Sequence, residues 1–148
     1  MIQLEIATSL FLSSTIFDNP SLIIPFGRLQ SLNVSTKYVY FSIKYALKLV
    51  ELFPSLVHIE LRVFSLDTCL SIVDILLGNL ANLIHLKIYF NKDTLVDDPC
   101  PIDYVVEKRR QAFPFHIYNK DDIFVKVDGQ SLEIYLNSCS ICANIIDE

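Results

Sequence analysis

Apolar residues recur in the first part of the chain with one short pattern, apolar-x-x-apolar-x-apolar. It occurs as MIQLEI, LQSLNV, LVHIEL and LIHLKI, which begin at Met1, Leu29, Leu56 and Leu83. Successive starts are therefore 28, 27 and 27 residues apart. Apolar residues at alternate positions are typical of a β-strand with one buried face. The pattern thus predicts short strands at a regular spacing along the chain.

The segments between these words carry a second apolar pattern with the same period. In the third segment it follows the spacing of one helix face. Its positions are Leu66, Leu70, Val73, Leu77 and Leu80. The residues 27 positions before these five are again apolar. Of the residues 54 positions before them, only Asn19, next to Pro20, is polar. We therefore expect a helix after each strand, with the first one short or broken.

A strand pattern of this kind and a helix that recurs with the same period are typical of leucine-rich repeats. We predict an α/β leucine-rich-repeat solenoid, in which stacked units form a parallel strand ladder with outer helices. We expect it to end in a C-terminal helix and β-hairpin cap. The predicted organisation is repeats in residues 1–91, about three and a half units, the cap in 92–137 and a tail in 138–148.

The pattern changes after the fourth word. Ile102 to Phe113 has the apolar spacing of a helix, and His116 to Tyr118 is expected to be a strand. Two alternating runs flank Asp128-Gly129, a dipeptide that favours a tight turn, so Ile123 to Leu136 predicts a β-hairpin. In the third repeat, Ser65 or Asp67 is expected to cap the helix N-terminus.

Two longer stretches that contain the third and fourth occurrences of the pattern, LFPSLVHIEL and NLANLIHLKIYFN, resemble the repeat region of F-box/LRR-type proteins. The C-terminal stretch EKRRQAFPFHIYNKDDIFVKVDGQSLEIYL resembles the tail of such proteins. In that family the F-box docks on the adaptor of a cullin-based ubiquitin ligase and the repeats hold the substrate. No F-box precedes the repeats here, because they start at Met1. The resemblance thus implies the substrate-binding part alone, with an adaptor as partner only if an F-box exists upstream. The alternative is a truncated paralogue or gene fragment without independent activity, since the first strand would leave an unpaired edge.

In a leucine-rich repeat, the residues between the inward-pointing ones form the concave face of the strand ladder. We expect this face to bind a protein of unknown identity, although an ordinary solvated sheet face is the competing interpretation. Tyrosine and arginine are typical of binding hot spots. The candidate binding residues are Glu5, Asn33, His58, Glu60, Arg62, His85, Lys87 and Tyr89.

Composition narrows the classes of partner and compartment. The chain is 52% hydrophobic and has a net charge of -5, which disfavours a nucleic-acid partner. The one basic run, Lys108-Arg109-Arg110, is expected to be a solvated helix face. No segment has the pattern of a membrane span or a signal peptide, so we expect no membrane association and an intracellular location, cytoplasmic or nuclear. The four cysteines are then expected to be free thiols.

The candidate chemical groups do not add up to an active site. His58 and His85 occupy equivalent repeat positions with Glu60 nearby, but a third strong metal ligand is missing. Cys139 and Cys142 form a CxxC without a second pair, and their role stays open. The chain has three glycines and no phosphate-binding glycine loop. We therefore expect no catalytic residue, no metal and no cofactor, and the chain is not expected to be an enzyme.

Overall fold

The computed structural model describes residues 3–5, 28–34, 40–91 and 98–136. Strands and helices alternate through most of this part of the chain, and a short 3-10 turn at Lys120–Asp122 precedes the last two strands. In chain order the elements are β1 (Gln3–Glu5), β2 (Ser31–Val34), α1 (Ile43–Leu52), β3 (His58–Arg62), α2 (Leu66–Asn79), β4 (His85–Tyr89), α3 (Ile102–Ala112), β5 (Ile123–Val127) and β6 (Ser131–Leu136).

The described strands form one mixed sheet in the order β1-β2-β3-β4-β6-β5. Strands β1 to β4 pair in parallel, and His58 lies between Ser31 and His85 in the register. Strand β6 then runs antiparallel to β4, with Tyr135 opposite His85, and β5 pairs antiparallel with β6 on its other side. The hairpin therefore extends the same sheet.

The predicted leucine-rich-repeat solenoid with a parallel strand ladder is wrong. The described residues form a small α/β domain whose single sheet contains parallel and antiparallel pairs and is accompanied by three α-helices. The 27-residue spacing reappears as the register of parallel neighbours, Ser31 with His58 and His58 with His85. Any α/β sheet whose parallel strands are joined by connections of similar length gives such a register. The predicted division into residues 1–91, 92–137 and 138–148 stays a prediction, and 138–148 lies outside the described residues.

Alternation along the strands separates a buried face from a partly exposed one. In β3, Ile59 and Leu61 are buried, whereas His58, Glu60 and Arg62 are partly exposed. The buried strand residues share one hydrophobic cluster with residues of the helices, so the described helices cover this face. Full burial of such an aliphatic side chain contributes about 1.5–3 kcal/mol. The helix residues of the cluster include Ala46, Leu49, Cys69, Ile72, Val73, Leu76, Leu77, Val105 and Val106.

Two local predictions are confirmed. Ser65 is the N-cap of α2, and its hydroxyl accepts a hydrogen bond from the backbone N–H of Thr68 at 3.2 Å. In the hairpin turn, one carboxylate oxygen of Asp128 accepts hydrogen bonds from the backbone N–H groups of Gln130 and Ser131, both at 2.8 Å. These contacts hold the pKa of Asp128 below its ordinary value. Capping and turn chemistry thus define where α2 begins and where the hairpin reverses.

The expectation of a solvated basic face on α3 is wrong for Arg109, whose relative exposure is 0%. Its guanidinium lies at the end of α2, where backbone carbonyls lack partners within the helix. It donates hydrogen bonds to the carbonyl oxygens of Leu77 (2.8 Å), Leu80 (2.7 Å) and Ala81 (3.1 Å). Burial lowers the pKa of Arg109 from its ordinary value. A buried cation therefore caps the C-terminus of α2 and joins it to α3.

Residues after α3 pack around the same arginine. The guanidinium carbon of Arg109 lies 4.7 Å from the ring centroid of Phe113 and 5.2 Å from that of Tyr118. The Tyr118 carbonyl accepts a hydrogen bond from Arg110 at 2.9 Å. The strand predicted at His116–Tyr118 is therefore wrong: this segment is not among the strands of the described sheet, and its Tyr118 packs against Arg109 instead.

Candidate functional site

The partly exposed face of the sheet, here called the open face, holds the candidate site. It consists of the side chains that alternate with the buried positions of β2 to β6. The helices described above cover the opposite face. The open face comprises Ser31, Asn33, His58, Glu60, Arg62, His85, Lys87, Tyr89, Phe124, Lys126, Glu133 and Tyr135.

Glu60 is the centre of one hydrogen-bond network on this face. One of its carboxylate oxygens accepts a hydrogen bond from the Asn33 amide at 3.2 Å. The other accepts a hydrogen bond from the Tyr89 hydroxyl at 2.6 Å. The bond to Glu60 is the main cause that raises the pKa of Tyr89 above its ordinary value. Strands β2, β3 and β4 are thus connected through side chains as well as through backbone pairing.

The ring of Tyr89 also contacts cationic groups. The guanidinium carbon of Arg62 and the Nζ atom of Lys87 each lie 5.1 Å from the ring centroid. At partly exposed sites a cation–π contact contributes about 0.5–1 kcal/mol. Tyr89 is therefore fixed at its hydroxyl by Glu60 and along its ring by two cations. The four side chains form an ordered, partly exposed cluster.

Glu133 is the centre of a second network, on the antiparallel side of the sheet. Its Oε1 atom accepts hydrogen bonds from His85 Nε2 and from the Tyr135 hydroxyl, both at 2.8 Å. The rings of His85 and Tyr135 stack with centroids 4.6 Å apart. The contact with His85 is the main cause that lowers the pKa of Glu133, while partial burial acts in the opposite direction. This network ties the hairpin to the parallel strands.

Charges alternate across the sheet at the level of these networks. Glu60 is opposite Lys87, Lys87 is opposite Glu133, and Glu133 is opposite Lys126. Opposite charges at facing positions of neighbouring strands contribute roughly 0.2–1 kcal/mol per pair. The row carries two carboxylates and two amines, so it has no net charge. This row therefore adds nothing to the positive field that a phosphate backbone requires.

A polar pocket of about 290 Å³ lies where β3 and β4 end. The carboxyl ends of parallel strands are the usual place for ligand sites in open α/β sheets. Its lining offers a guanidinium, a phenol and amide groups, which suit a peptide group or a carboxylate. The described lining residues are Arg62, Tyr89, Phe90, Asn91 and Gln130.

Most of the sequence-predicted binding residues meet on the open face. Glu60, Arg62, Lys87 and Tyr89 form one cluster, and Asn33 joins it through Glu60. The ring centroids of His58 and His85 are 5.9 Å apart. Glu5 lies opposite Asn33 in the backbone register.

Sequence reasoning missed the contribution of the hairpin. Glu133 and Tyr135 complete the network around His85, and Phe124 faces Tyr135 across the strand pair. Their signal was present, because they alternate with the apolar residues Leu132, Ile134 and Leu136. Treating the hairpin as a separate cap hid the fact that this alternation continues the face of β4.

The groups that could carry metal or thiol chemistry are dispersed. No cluster of three or more His, Cys, Asp or Glu residues suited to a metal ion occurs within the described residues. Cys69 and Cys100 are buried free thiols, and burial is the main cause that raises their pKa, to about 12 and about 11 respectively. Cys139 and Cys142 lie outside the described residues.

Comparisons with known proteins give no relative. No family model matches the chain, and neither a curated protein nor a solved structure matches it at a significant level. The resemblance to F-box/LRR-type proteins therefore stays a prediction. Among the helices of the described ranges, none combines the length and apolar character that a membrane crossing requires.

Proposed function

We propose that this chain is a protein-binding module that holds a segment of its partner on the open face. The observation that carries the proposal is the ordered state of Tyr89, with its hydroxyl on Glu60 and its ring beside Arg62 and Lys87. Tyrosine and arginine supply most binding hot spots. Side chains that are ordered before binding also lose less entropy when the partner arrives.

The size of the open face favours a short segment over a globular surface. Neighbouring strands lie ~4.8 Å apart, so the five strands of the open face, in the order β2-β3-β4-β6-β5, span on the order of 20 Å. This width is smaller than a standard protein interface. The polar pocket beside Arg62 and Tyr89 adds depth at one end. An extended peptide segment with polar groups at the pocket fits these dimensions.

The charge pattern favours protein over nucleic acid as the partner. The alternating row from Glu60 to Lys126 offers paired donors and acceptors, and the chain carries a net charge of -5. Both features suit peptide recognition and oppose phosphate binding. We limit the proposal to binding, without a catalytic step. We also leave out the ubiquitin-ligase role, because the repeat architecture on which that expectation depended is not the observed fold.

Paired substitutions test the proposal. A partner captured from an extract of the source cells is first identified by mass spectrometry and purified. Its Kd is then measured for the native chain, for Arg62→Ala/Tyr89→Ala, and for the control Arg28→Ala/Tyr104→Ala, which removes the same residue types from exposed positions. Loss of a hot spot costs about 2 kcal/mol or more, so the first variant should bind at least ~30-fold more weakly.

The control variant should bind within about twofold of the native chain. Circular dichroism of both variants should retain the native secondary structure, because all the substituted side chains are at least partly exposed. Equal Kd values for the two double variants would contradict the assignment of the open face.

A further inference from the structure

A groove of about 500 Å³ lies at the opposite end of the sheet from the polar pocket, where β4 and β5 begin. None of the residues that line it belongs to the Glu60–Tyr89 cluster. It is large enough for one apolar side chain with its flanking backbone. The described lining residues are Ile84, Asp121, Asp122, Ile123, Phe124 and Tyr135.

The wall of this groove is apolar and ordered. Phe124, Tyr135 and Ile84 are 57%, 43% and 41% exposed, which is high for large apolar side chains that lie together. The rings of Phe124 and Tyr135 have centroids 6.2 Å apart. Tyr135 is further fixed by its stacking on His85. An apolar ligand group would therefore gain contacts without first ordering the wall.

The rim of the groove is negative. Asp121 and Asp122 contribute its carboxylates, and no cation is among the described residues that line it. The adjacent Lys120 pairs with Asp103 at 2.9 Å, and its charge also interacts with that of Asp121, so it offsets part of the negative charge of the rim. The net charge of -5 strengthens the same sign over the whole molecule. With two carboxylates and one neighbouring amine, the rim keeps an excess of negative charge, and charge complementarity favours a cationic group beside the apolar one.

We propose that the groove binds a peptide segment of the partner that presents an apolar side chain next to lysine or arginine. This inference deepens the proposed function and rests on it, since it assigns the kind of sequence that the open face selects. The groove lies where β4 begins, and Tyr89 of the Glu60–Tyr89 cluster lies where β4 ends. The two are roughly 15 Å apart for a five-residue strand. An extended segment of about five residues would reach from one to the other.

Nuclear magnetic resonance on the ¹⁵N-labelled full chain tests the groove directly. The probe is the blocked peptide Gly-Lys-Leu-Lys-Gly, with the matched peptides Gly-Glu-Leu-Glu-Gly and Gly-Lys-Ser-Lys-Gly. The lysine–leucine peptide should shift the amide signals of Ile84, Phe124 and Tyr135 in a saturable way. The other two peptides should bind at least about threefold more weakly, because each lacks one half of the complementarity.

Variants assign the effect to the groove itself. Asp121→Asn/Asp122→Asn should weaken the lysine–leucine peptide by about threefold to tenfold. The control Glu51→Gln/Glu107→Gln makes the same change in net charge at exposed helix positions and should leave the Kd unchanged. Phe124→Ala should weaken binding, whereas Phe64→Ala, at another exposed phenylalanine, should not.

Several outcomes overturn the groove assignment. They are absence of saturable shifts, equal binding of the glutamate peptide, and equal loss in the Asp and Glu double variants. Shifts with an oligothymidylate at the same amides, or concentration-dependent shifts without peptide, would identify a nucleic acid or a second copy of the chain instead. Peptide shifts confined to Arg62 and Tyr89 would overturn the groove and leave the proposed function intact. A different result would count against the proposed function. In that case the peptide still binds the groove, but Arg62→Ala/Tyr89→Ala leaves the affinity for the partner unchanged.

Discussion

The imidazole of His85 donates a hydrogen bond to the carboxylate of Glu133 across 2.8 Å, and this contact joins the parallel part of the sheet to the hairpin. In the order of the sheet, His85 lies on β4, the last of the parallel strands, and Glu133 lies on its antiparallel neighbour β6. Tyr135 strengthens the junction by stacking on His85 and by donating to Glu133. Side-chain contacts on the open face therefore continue from β4 to β6, where the strand direction changes.

Replacing Glu133 by glutamine should destabilise the fold in a pH-dependent way. The pKa of Glu133 is lowered from its ordinary value of 4.5, mainly by the contact with His85. Its stabilising effect is therefore fully present above about pH 4.5 and is lost as the pH falls through the lower native pKa. At pH 7, Glu133→Gln should reduce the free energy of unfolding by about 0.5–1 kcal/mol.

Urea unfolding at pH 7 and at pH 3.5 measures this difference. The deficit of Glu133→Gln relative to the native chain should shrink at the lower pH. Glu107→Gln, at an exposed position of α3, is the control and should show little effect at either pH. An equal deficit at the two pH values would show that ionisation of Glu133 does not contribute to the stability of the fold.

Replacing Arg109 by alanine should be the most destabilising single change among the basic residues of α3. The substitution removes three hydrogen bonds to the carbonyl oxygens at the end of α2 and leaves a cavity between Phe113 and Tyr118. Together these losses should cost about 3–5 kcal/mol. Circular dichroism is the suitable probe of urea unfolding, because the chain has no tryptophan.

Lysine and the neighbouring arginine provide the comparisons for Arg109. Arg109→Lys should recover only part of the stability, because an ammonium group cannot reproduce the planar set of donors. Arg110→Ala loses one hydrogen bond to Tyr118 and should cost about 1 kcal/mol. Similar losses for Arg109→Ala and Arg110→Ala would contradict the buried position of Arg109.

The cap of α2 should contribute measurably to stability. Ser65→Ala removes the acceptor for the Thr68 N–H and should lower the free energy of unfolding by about 1 kcal/mol. Ser71→Ala, on the exposed side of the same helix, should change it by less than about 0.5 kcal/mol. If both substitutions have the same effect, Ser65 does not act as the cap.

The buried thiols should resist alkylation until the chain unfolds. Burial raises the pKa of Cys69 to about 12 and that of Cys100 to about 11, so both are protonated at pH 8. Because the thiolate is the reactive form, iodoacetamide should modify them very slowly in the native protein and rapidly in urea. The measurement uses a Cys139→Ser/Cys142→Ser background, so that only these two thiols react. Rapid native alkylation would show that the core around Cys69 is open.

Local patterns in the sequence predicted individual elements well. Alternation of apolar residues predicted the strands that contain His58 and His85, and helical spacing predicted α2. The dipeptide Asp128-Gly129 predicted the hairpin turn, which the Asp128 carboxylate stabilises. These features depend on residues close together in the chain, so a single sequence contains the required information.

The assembly of these elements was predicted less well, for physical reasons that concern long-range contacts. A constant spacing fixes the register of parallel strands but does not say whether the next strand, β6, runs parallel or antiparallel to β4. The spacing was therefore compatible with a solenoid and with the observed mixed sheet. Likewise, the basic run at Arg109 gave no sign of burial, since its carbonyl partners at Leu77, Leu80 and Ala81 are about 30 residues away.

The residues of the open face were predicted in part, because the alternation that places a side chain on that face is local. Glu60, Arg62 and Tyr89 were assigned to one surface in this way, and they lie in contact there. Glu133 and Tyr135 were not, because their place beside His85 depends on the pairing of β6 with β4. The groove at Asp121 and Phe124 depends on the same pairing.

Site-specific photo-crosslinking tests the central claim that the open face is the binding surface. A benzophenone side chain placed at Lys87, in the middle of that face, is compared with one at Glu51, an exposed position on α1. After irradiation with the purified partner, the chain labelled at Lys87 should give a covalent adduct and the chain labelled at Glu51 should not. Adducts from Glu51 alone, or equal yields from both positions, would contradict the claim.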